Sequence, residues 1–326
     1  MRSKLKPTLV ISKKFLNLLQ ILFLVTLTIT IACSKVESKT REGNLQGTVA
    51  ENYPLLSSTP LASATFTKLP NDLLLRSVDI TITKQEIDND LAQTRANIRE
   101  QLQDNVFFIL EQKFTEKVIL QESRNSLTKD GHDITNISDM DVIQTFVYGL
   151  VKDIEPSEAE INEFYEANKA LMGDMPFDQV RGQIVGFLKQ QQQQEYVQEY
   201  ITNILSNRKV EISGSWAAEK ISLAMNNDVD QARLSSIPTM ANFGSDSCVP
   251  CQMMIPAREA VRESFGDTAH VVYVHTDRDQ ILSSRYGIQS IPTLIFFDKQ
   301  GAEVHRHVGI MSQDEMEEWL NRLLRD

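Results

Sequence analysis

Cysteine is scarce in this sequence, with three residues in a chain of 326. Three cysteines cannot build a disulfide framework, so stapling by several bridges is excluded. Basic side chains are outnumbered as well: 33 Lys+Arg stand against 44 Asp+Glu, a net charge of −11. Five of the basic residues (Arg2, Lys4, Lys6, Lys13, Lys14) fall in the first 32 positions, which hold no acid, leaving 28 against 44 and a net of −16 beyond them. Phosphate binding needs a basic footprint, so nucleic acid is excluded as the main partner. Histidine is sparse too: His132, His270, His275, His305 and His307 show no ligand spacing. Without a second C-x-x-C, this excludes a zinc site, and neither a metal nor a cofactor is expected. No heptad repeat is long enough to argue for a coiled coil. What the chain does have is 41% hydrophobic and 24% charged residues, the balance of a globular protein rather than a disordered or polytopic one. Its length suits two domains, or one domain with extensions.

The N-terminus carries the pattern of an export signal. Residues 1–14 are basic, and residues 15–32 form an apolar run with only Asn17, Gln20 and a few threonines to interrupt it. Cys33 follows Ala32 directly. Thr30-Ile31-Ala32-Cys33 resembles a bacterial lipobox, with Thr30 where that pattern prefers Leu. The resemblance implies a signal peptide over 1–32 and lipidation of Cys33. Ser34 after the cysteine implies the outer membrane if the envelope is Gram-negative. The other reading is an uncleaved anchor, since 18 apolar residues just span a bilayer. Either way the chain is membrane-anchored and the remainder faces outward, toward the periplasm.

Residues 33–69 are rich in Ser, Thr, Gly, Asn and Pro, show no periodicity, and are expected to form a flexible tether. Residues 70–213 then read as helical. Thr83 and Glu86 make a capping box, followed by Ile87, Leu91, Thr94, Ile98 and Leu102 at helical spacing. Further helices are expected over about 105–123, about 138–152, after the Ser157–Glu160 capping box, and from Phe177 to about Asn207. The last contains a run of five glutamines, Gln190–Gln194, which suits a solvated helix face. Lys209-Val210-Glu211-Ile212 closes the segment as a strand-like alternation. This order resembles the chaperone part of SurA- and PrsA-type proteins. The motifs that carry the resemblance are Ile109-Leu110-Glu111-Gln112-Lys113-Phe114, Pro156-Ser157-Glu158-Ala159-Glu160-Ile161, Phe164-Tyr165-Glu166-Ala167-Asn168-Lys169 and Pro176-Phe177-Asp178-Gln179-Val180. Only about six residues separate Lys169 from Pro176, so the prolyl isomerase inserted there in many relatives is absent. The resemblance implies an all-α domain that binds unfolded or partly folded exported proteins.

Residues 216–326 alternate strand-like and helical segments, the pattern of an α/β sandwich. Cys248-Val249-Pro250-Cys251 opens a helical stretch after the apolar run 238–243. Pro256 lies five residues past the second cysteine, Ser290-Ile291-Pro292-Thr293 farther on, and Gly309 after an expected hairpin. Four landmarks in this register resemble thioredoxin. The resemblance implies a cis Ile291–Pro292 bond, with Ile291 and Thr293 flanking it as the substrate-binding loop. Pro250 presets φ for the first turn. Cys248 at a helix N-terminus is favoured as a thiolate and becomes the nucleophile, while Cys251, one turn in, resolves the mixed disulfide. Three positions depart from the family: Ser247 replaces the usual Trp, Val249 the usual Gly, and Asn242 the buried acid that accepts a proton from the second cysteine.

The fold class expected from these features is multidomain, a helical chaperone-like domain followed by an α/β thioredoxin-fold domain. The implied function is an exported, membrane-tethered thiol–disulfide oxidoreductase acting on cysteine-containing clients, served by an upstream redox partner. The alternative is a non-enzymatic holdase that uses the thioredoxin fold as a scaffold.

Overall fold

The computed structural model describes residues 45–169 and 175–325. The expected signal peptide 1–32, Cys33 and the first residues of the expected tether lie outside the described residues. Within them the chain forms two compact units: residues 118–205, and residues 45–117 together with 206–325. No helix among the described residues is long and apolar enough to cross a membrane.

The first unit is helical. It holds the second half of α4 (Val106–Lys129), then α5 (Asp139–Val151), α6 (Glu158–Asn168) and α7 (Phe177–Ser206). The expected Ser157–Glu160 capping box is formed here, and Ser138 caps α5, its Oγ accepting from the Asp141 amide. Helix α4 runs six residues past its expected end at 123. Ile161, Tyr165, Val180 and Ile184 pack as one buried cluster.

The second unit contains two sheets. The smaller has the order β1-β4-β2-β3, built from β1 (Thr65–Thr67), β2 (Leu73–Arg76), β3 (Thr81–Thr83) and β4 (Glu211–Ser213). β4 pairs parallel with β1 and antiparallel with β2, which puts Ile212 beside Phe66 and Leu75. Residues 45–69 are therefore not a flexible tether. They carry the short helix α1 (Val49–Asn52), capped by Thr48 and Glu51, and bury Val49, Leu56, Leu61, Ala64, Phe66 and Leu69. Those apolar residues are too sparse and irregular to give a period, yet each is covered.

The helix expected through Ile87–Leu102 is two helices, α2 (Lys84–Gln93) and α3 (Ala96–Asp104). Thr94 adopts extended backbone, its Oγ1 donates to Asp90 O, and Arg99 donates to the freed carbonyls of Ala92 and Thr94. Residues 70–117 also pack with the C-terminal segment rather than closing a domain at 213.

The larger sheet has the order β6-β5-β7-β8, from β5 (Thr239–Gly244), β6 (His270–His275), β7 (Thr293–Phe297) and β8 (Glu303–Val308). β5 and β6 are parallel; the other pairs are antiparallel. β5 and β7 are buried along their whole length, as central strands with both faces covered must be. On one face lie α11 (Ile255–Phe265) and α13 (Gln313–Arg325), enclosing Met240, Val261, Leu294, Phe296 and Leu320. On the other, after α8 (Gly214–Ala224), Val229 of α9 (Asp228–Leu234) and Tyr286 pack with Ala241, Phe243, Ile295 and Phe297. Full burial of each of these Phe side chains contributes about 1.5–3 kcal/mol.

Between α9 and the larger sheet sits a buried charge cluster. Asp230 accepts from Arg285 at 2.9 Å and from the Tyr286 hydroxyl at 2.5 Å. Burial works to raise its carboxyl, but Arg285 and Arg233 hold it below the usual range. The small helix α12 (Gln280–Arg285) has no capping side chain of its own. Gln101 of α3 supplies one, accepting from the Ile281 amide at 3.3 Å and donating to Arg278 O at 2.7 Å. At its other end Arg285 lies 4.0 Å over the Phe108 ring.

Candidate redox site

β5 ends at Gly244, and Cys248 caps the next helix, α10 (Val249–Met253). Its Sγ accepts from the Cys251 amide at 3.2 Å. The two cysteines are joined as a disulfide with a Cα–Cα separation of 5.2 Å. They differ in access: Cys248 is half-buried and Cys251 is buried at 5%. Val249 and Met253 around them are 68% and 66% exposed, an apolar rim. Pro250 occupies the first turn. Pro256 has no amide to give to Gln252, and the chain breaks at Met254 before resuming as α11.

The opposite wall is the loop before β7. Ile291–Pro292 is cis. Phe243 pairs with Thr293, so the end of β5 and the start of β7 lie at one edge of the sheet. Gly309 donates from its amide to Pro292 O at 2.8 Å, and its positive φ of 112° suits glycine. Ile291 stays half-buried. Thr293 is buried, its Oγ1 donating to Ser290 O at 2.7 Å, so its side chain fixes the loop rather than lining a surface. A cavity of about 370 Å³ beside this loop is lined by Thr276, Gln280, Ser283, Gln289 and Ile291 among others.

Four contributors to the site carry no motif signal. A side chain at Gly244 would meet both Cys251 Sγ and Tyr273 Cε2 at a tight 3.2 Å, so glycine here gives the buried sulfur room against the sheet. Burial pushes the Tyr273 phenol above its usual range, with the Arg258 guanidinium opposing. His275 Nε2 lies 2.9 Å from Asp246 Oδ2, off the line of a ring N–H hydrogen bond. Arg258 is buried and donates to Asn242 Oδ1 at 3.2 Å. In the sequence Arg258 stands out only as a cation on the apolar stripe Met254, Arg258, Val261, Phe265. No group of three or more His, Cys, Asp or Glu among the described residues is placed to hold a metal ion.

Residues 225–324 match the family model described as a thioredoxin-like domain. Over 90 residues the chain is 37% identical to thioredoxin 1 of Synechococcus elongatus, covering 28% of this chain and 83% of that relative. The chain belongs to the thioredoxin family. It is also 31% identical over 88 residues to the thioredoxin of Rickettsia prowazekii, covering 27% of this chain and 83% of that one. At family level the thioredoxin domain is a thiol–disulfide oxidoreductase, and its paired cysteines are Cys248 and Cys251. The family match does not extend to the residues before 225.

Proposed function

We infer that this thioredoxin is an exported oxidoreductase of the cell envelope, tethered to the membrane and acting on client proteins engaged by its helical region. The observation that carries the reading is the asymmetry of the disulfide: Cys248 half-buried at a helix N-cap, Cys251 covered. A client thiolate attacks Cys248 Sγ, the S–S bond breaks, and Cys251 departs with the electron pair. A mixed disulfide between Cys248 and the client results. A second client thiolate then attacks the client sulfur and releases Cys248. The client loses two electrons and two protons, and the site gains them. In the reverse direction Cys248 attacks a client disulfide and Cys251 resolves the product. An upstream redox partner restores the starting state in either case.

The backbone of Ile291 beside cis-Pro292 offers the place where an extended client segment aligns. Client binding by the helical unit is supported by apolar side chains left at its surface: Met140, Phe187 and Tyr196 are 45%, 53% and 44% exposed. Attachment through a lipid on Cys33, or through an uncleaved N-terminal helix, places the protein on the periplasmic side of the membrane. With Ser34 after the cysteine, the outer membrane is its site in a Gram-negative cell.

The test is a full-length Cys251→Ala variant expressed in the native envelope. It accumulates Cys248–client mixed disulfides that reductant dissolves. If no such species forms, and replacing both cysteines leaves a holdase phenotype intact, the protein is a non-enzymatic chaperone with a thioredoxin scaffold. A reduction potential near about −270 mV makes it a reductant or isomerase, and one near about −120 mV a disulfide-forming oxidant.

A further inference from the structure

β5 and β6 pair in parallel register with Asn242 beside Tyr273 and Gly244 beside His275, so these four positions share one face of the sheet. Cys251 fills the space that Gly244 leaves on that face. Arg258 reaches the same face from α11. It is 8% exposed, and its guanidinium carbon lies 4.2 Å over the Tyr273 ring, whose Cε2 and Cys251 Sγ are each 3.2 Å from the point where a Gly244 Cβ would stand. The Tyr273 ring thus neighbours both the guanidinium and the place where the buried sulfur packs.

The hydrogen bonds fix the polarity of this arrangement. Arginine can only donate, so Asn242 presents its carbonyl oxygen to Arg258 Nη1 at 3.2 Å. Asn242 Nδ2 is left buried without a hydrogen-bond partner. Nε and Nη2 of Arg258 both reach Glu259 Oε1 at 3.2 Å, and Glu259 is 41% exposed, so its countercharge is screened by water. Arg262 also reaches Glu259, at 2.7 Å, and at the Gly244–His275 end of the face Asp246 meets His275 at 2.9 Å and Arg278 at 3.0 Å. Behind Cys251 there is thus a buried permanent cation and a free N–H donor, while the nearby carboxylates of Glu259 and Asp246 are both exposed to water.

We propose that Arg258, acting through Asn242 and across Tyr273, is a positioning residue of the redox site that stabilises Cys251 as a thiolate when the disulfide opens. The inference rests on the oxidoreductase reading above. A buried thiolate is costly without a compensating charge, and a guanidinium never deprotonates. The disulfide is neutral, so the cation favours the opened form over the closed one. It makes Cys251 a better leaving group when a client thiolate attacks Cys248, and it biases the couple toward the dithiol. The site replaces the proton acceptor of its family with a positive pole that removes the need to take the proton up.

The test equilibrates full-length protein with glutathione buffers of graded ratio and counts dithiol by alkylation and mass spectrometry. Wild type reaches a reversible equilibrium; if it does not, the oxidoreductase reading itself fails, independently of Arg258. Arg258→Met and Asn242→Asp each shift the equilibrium constant toward the disulfide by about tenfold, equal to about 30 mV. Arg258→Lys, which keeps the charge, stays within about threefold of wild type, equal to about 15 mV. Glu259→Gln, which removes the countercharge from an exposed position, shifts the constant toward the dithiol. Should Arg258→Met fail to fold, Asn242→Asp and Glu259→Gln decide. An unchanged constant in Arg258→Met or Asn242→Asp, or a shift toward the disulfide in Glu259→Gln, overturns the proposal.

Discussion

The two sheets of the larger unit solve opposite problems. The β5–β8 sheet is drawn from one continuous stretch, with strands of five or six residues and central strands buried end to end. The β1–β4 sheet is drawn from two stretches, with strands of three or four residues. Its β4 sits between β1 and β2 although its residues follow theirs by more than 120 positions. The first sheet stands on a large two-sided core and can spend its edge on chemistry. The second closes a long excursion of the chain and is held by a small set of apolar side chains, among them Phe66, Leu74, Leu75, Ile82 and Ile212. Closing a long loop costs only slightly more than closing a moderate one, so a small apolar clasp suffices.

The comparison can be broken most severely at Asp230. Asp230→Ala leaves Arg285 and Tyr286 buried with a lost partner, and full-length protein loses about 3–5 kcal/mol in urea unfolding. Ile212→Ala attacks the clasp instead and costs about 2–4 kcal/mol. Because both sheets lie in one compact unit, both variants lower the same transition. An Ile212→Ala protein that retains the wild-type unfolding of the redox sheet would separate the two.

Glu111 sharpens the comparison through pH. It lies on α4, accepts from the Leu61 amide at 3.1 Å, and anchors the segment that was expected to be a tether. Burial pushes its carboxyl from 4.5 up to about 7, against hydrogen bonds from Thr59 and Leu61 and the charge of Arg285. Between those values the folded protein holds a proton that the unfolded chain has released. Stability therefore falls as pH rises across that window, by up to about 3 kcal/mol, and levels off above it. Thermal unfolding of full-length Glu111→Gln loses this slope. The smallest effect belongs to the helical unit: Ser157→Ala removes a capping bond and costs about 1 kcal/mol. It shows as a shift in the transition of residues 118–205 alone.

Legibility in the sequence followed locality. The CVPC turn, Pro256, the cis Ile291–Pro292 bond and the β7–β8 hairpin depend on a few neighbouring residues with special chemistry, and all four stand where their residues suggested. The capping boxes at Thr83 and Ser157 were legible for the same reason. The packing of residues 45–69 was not, because Val49, Leu56 and Leu61 find their partners far along the chain and need no period of their own. Nor was the break at Thr94, where side-chain bonds from Thr94 and Arg99 release a turn that apolar spacing alone would continue. Arg258 and Tyr273 were hidden because their importance arises only when a helix and a strand meet over Gly244.

Gln101 gives α12 a cap from outside the region that matches the family, and Phe108 receives the other end of that helix. A fragment cut at residue 216 would retain both cysteines and the cis-proline loop, but α12 would start with a bare amide, and Arg285 at its end would keep Asp230 and lose the Phe108 ring. The thioredoxin part of this chain is thus not a self-contained cassette: the stretch that matches the family is shorter than the stretch that packs with it. Transplanting it into another protein would require carrying α3 and the start of α4 along with it.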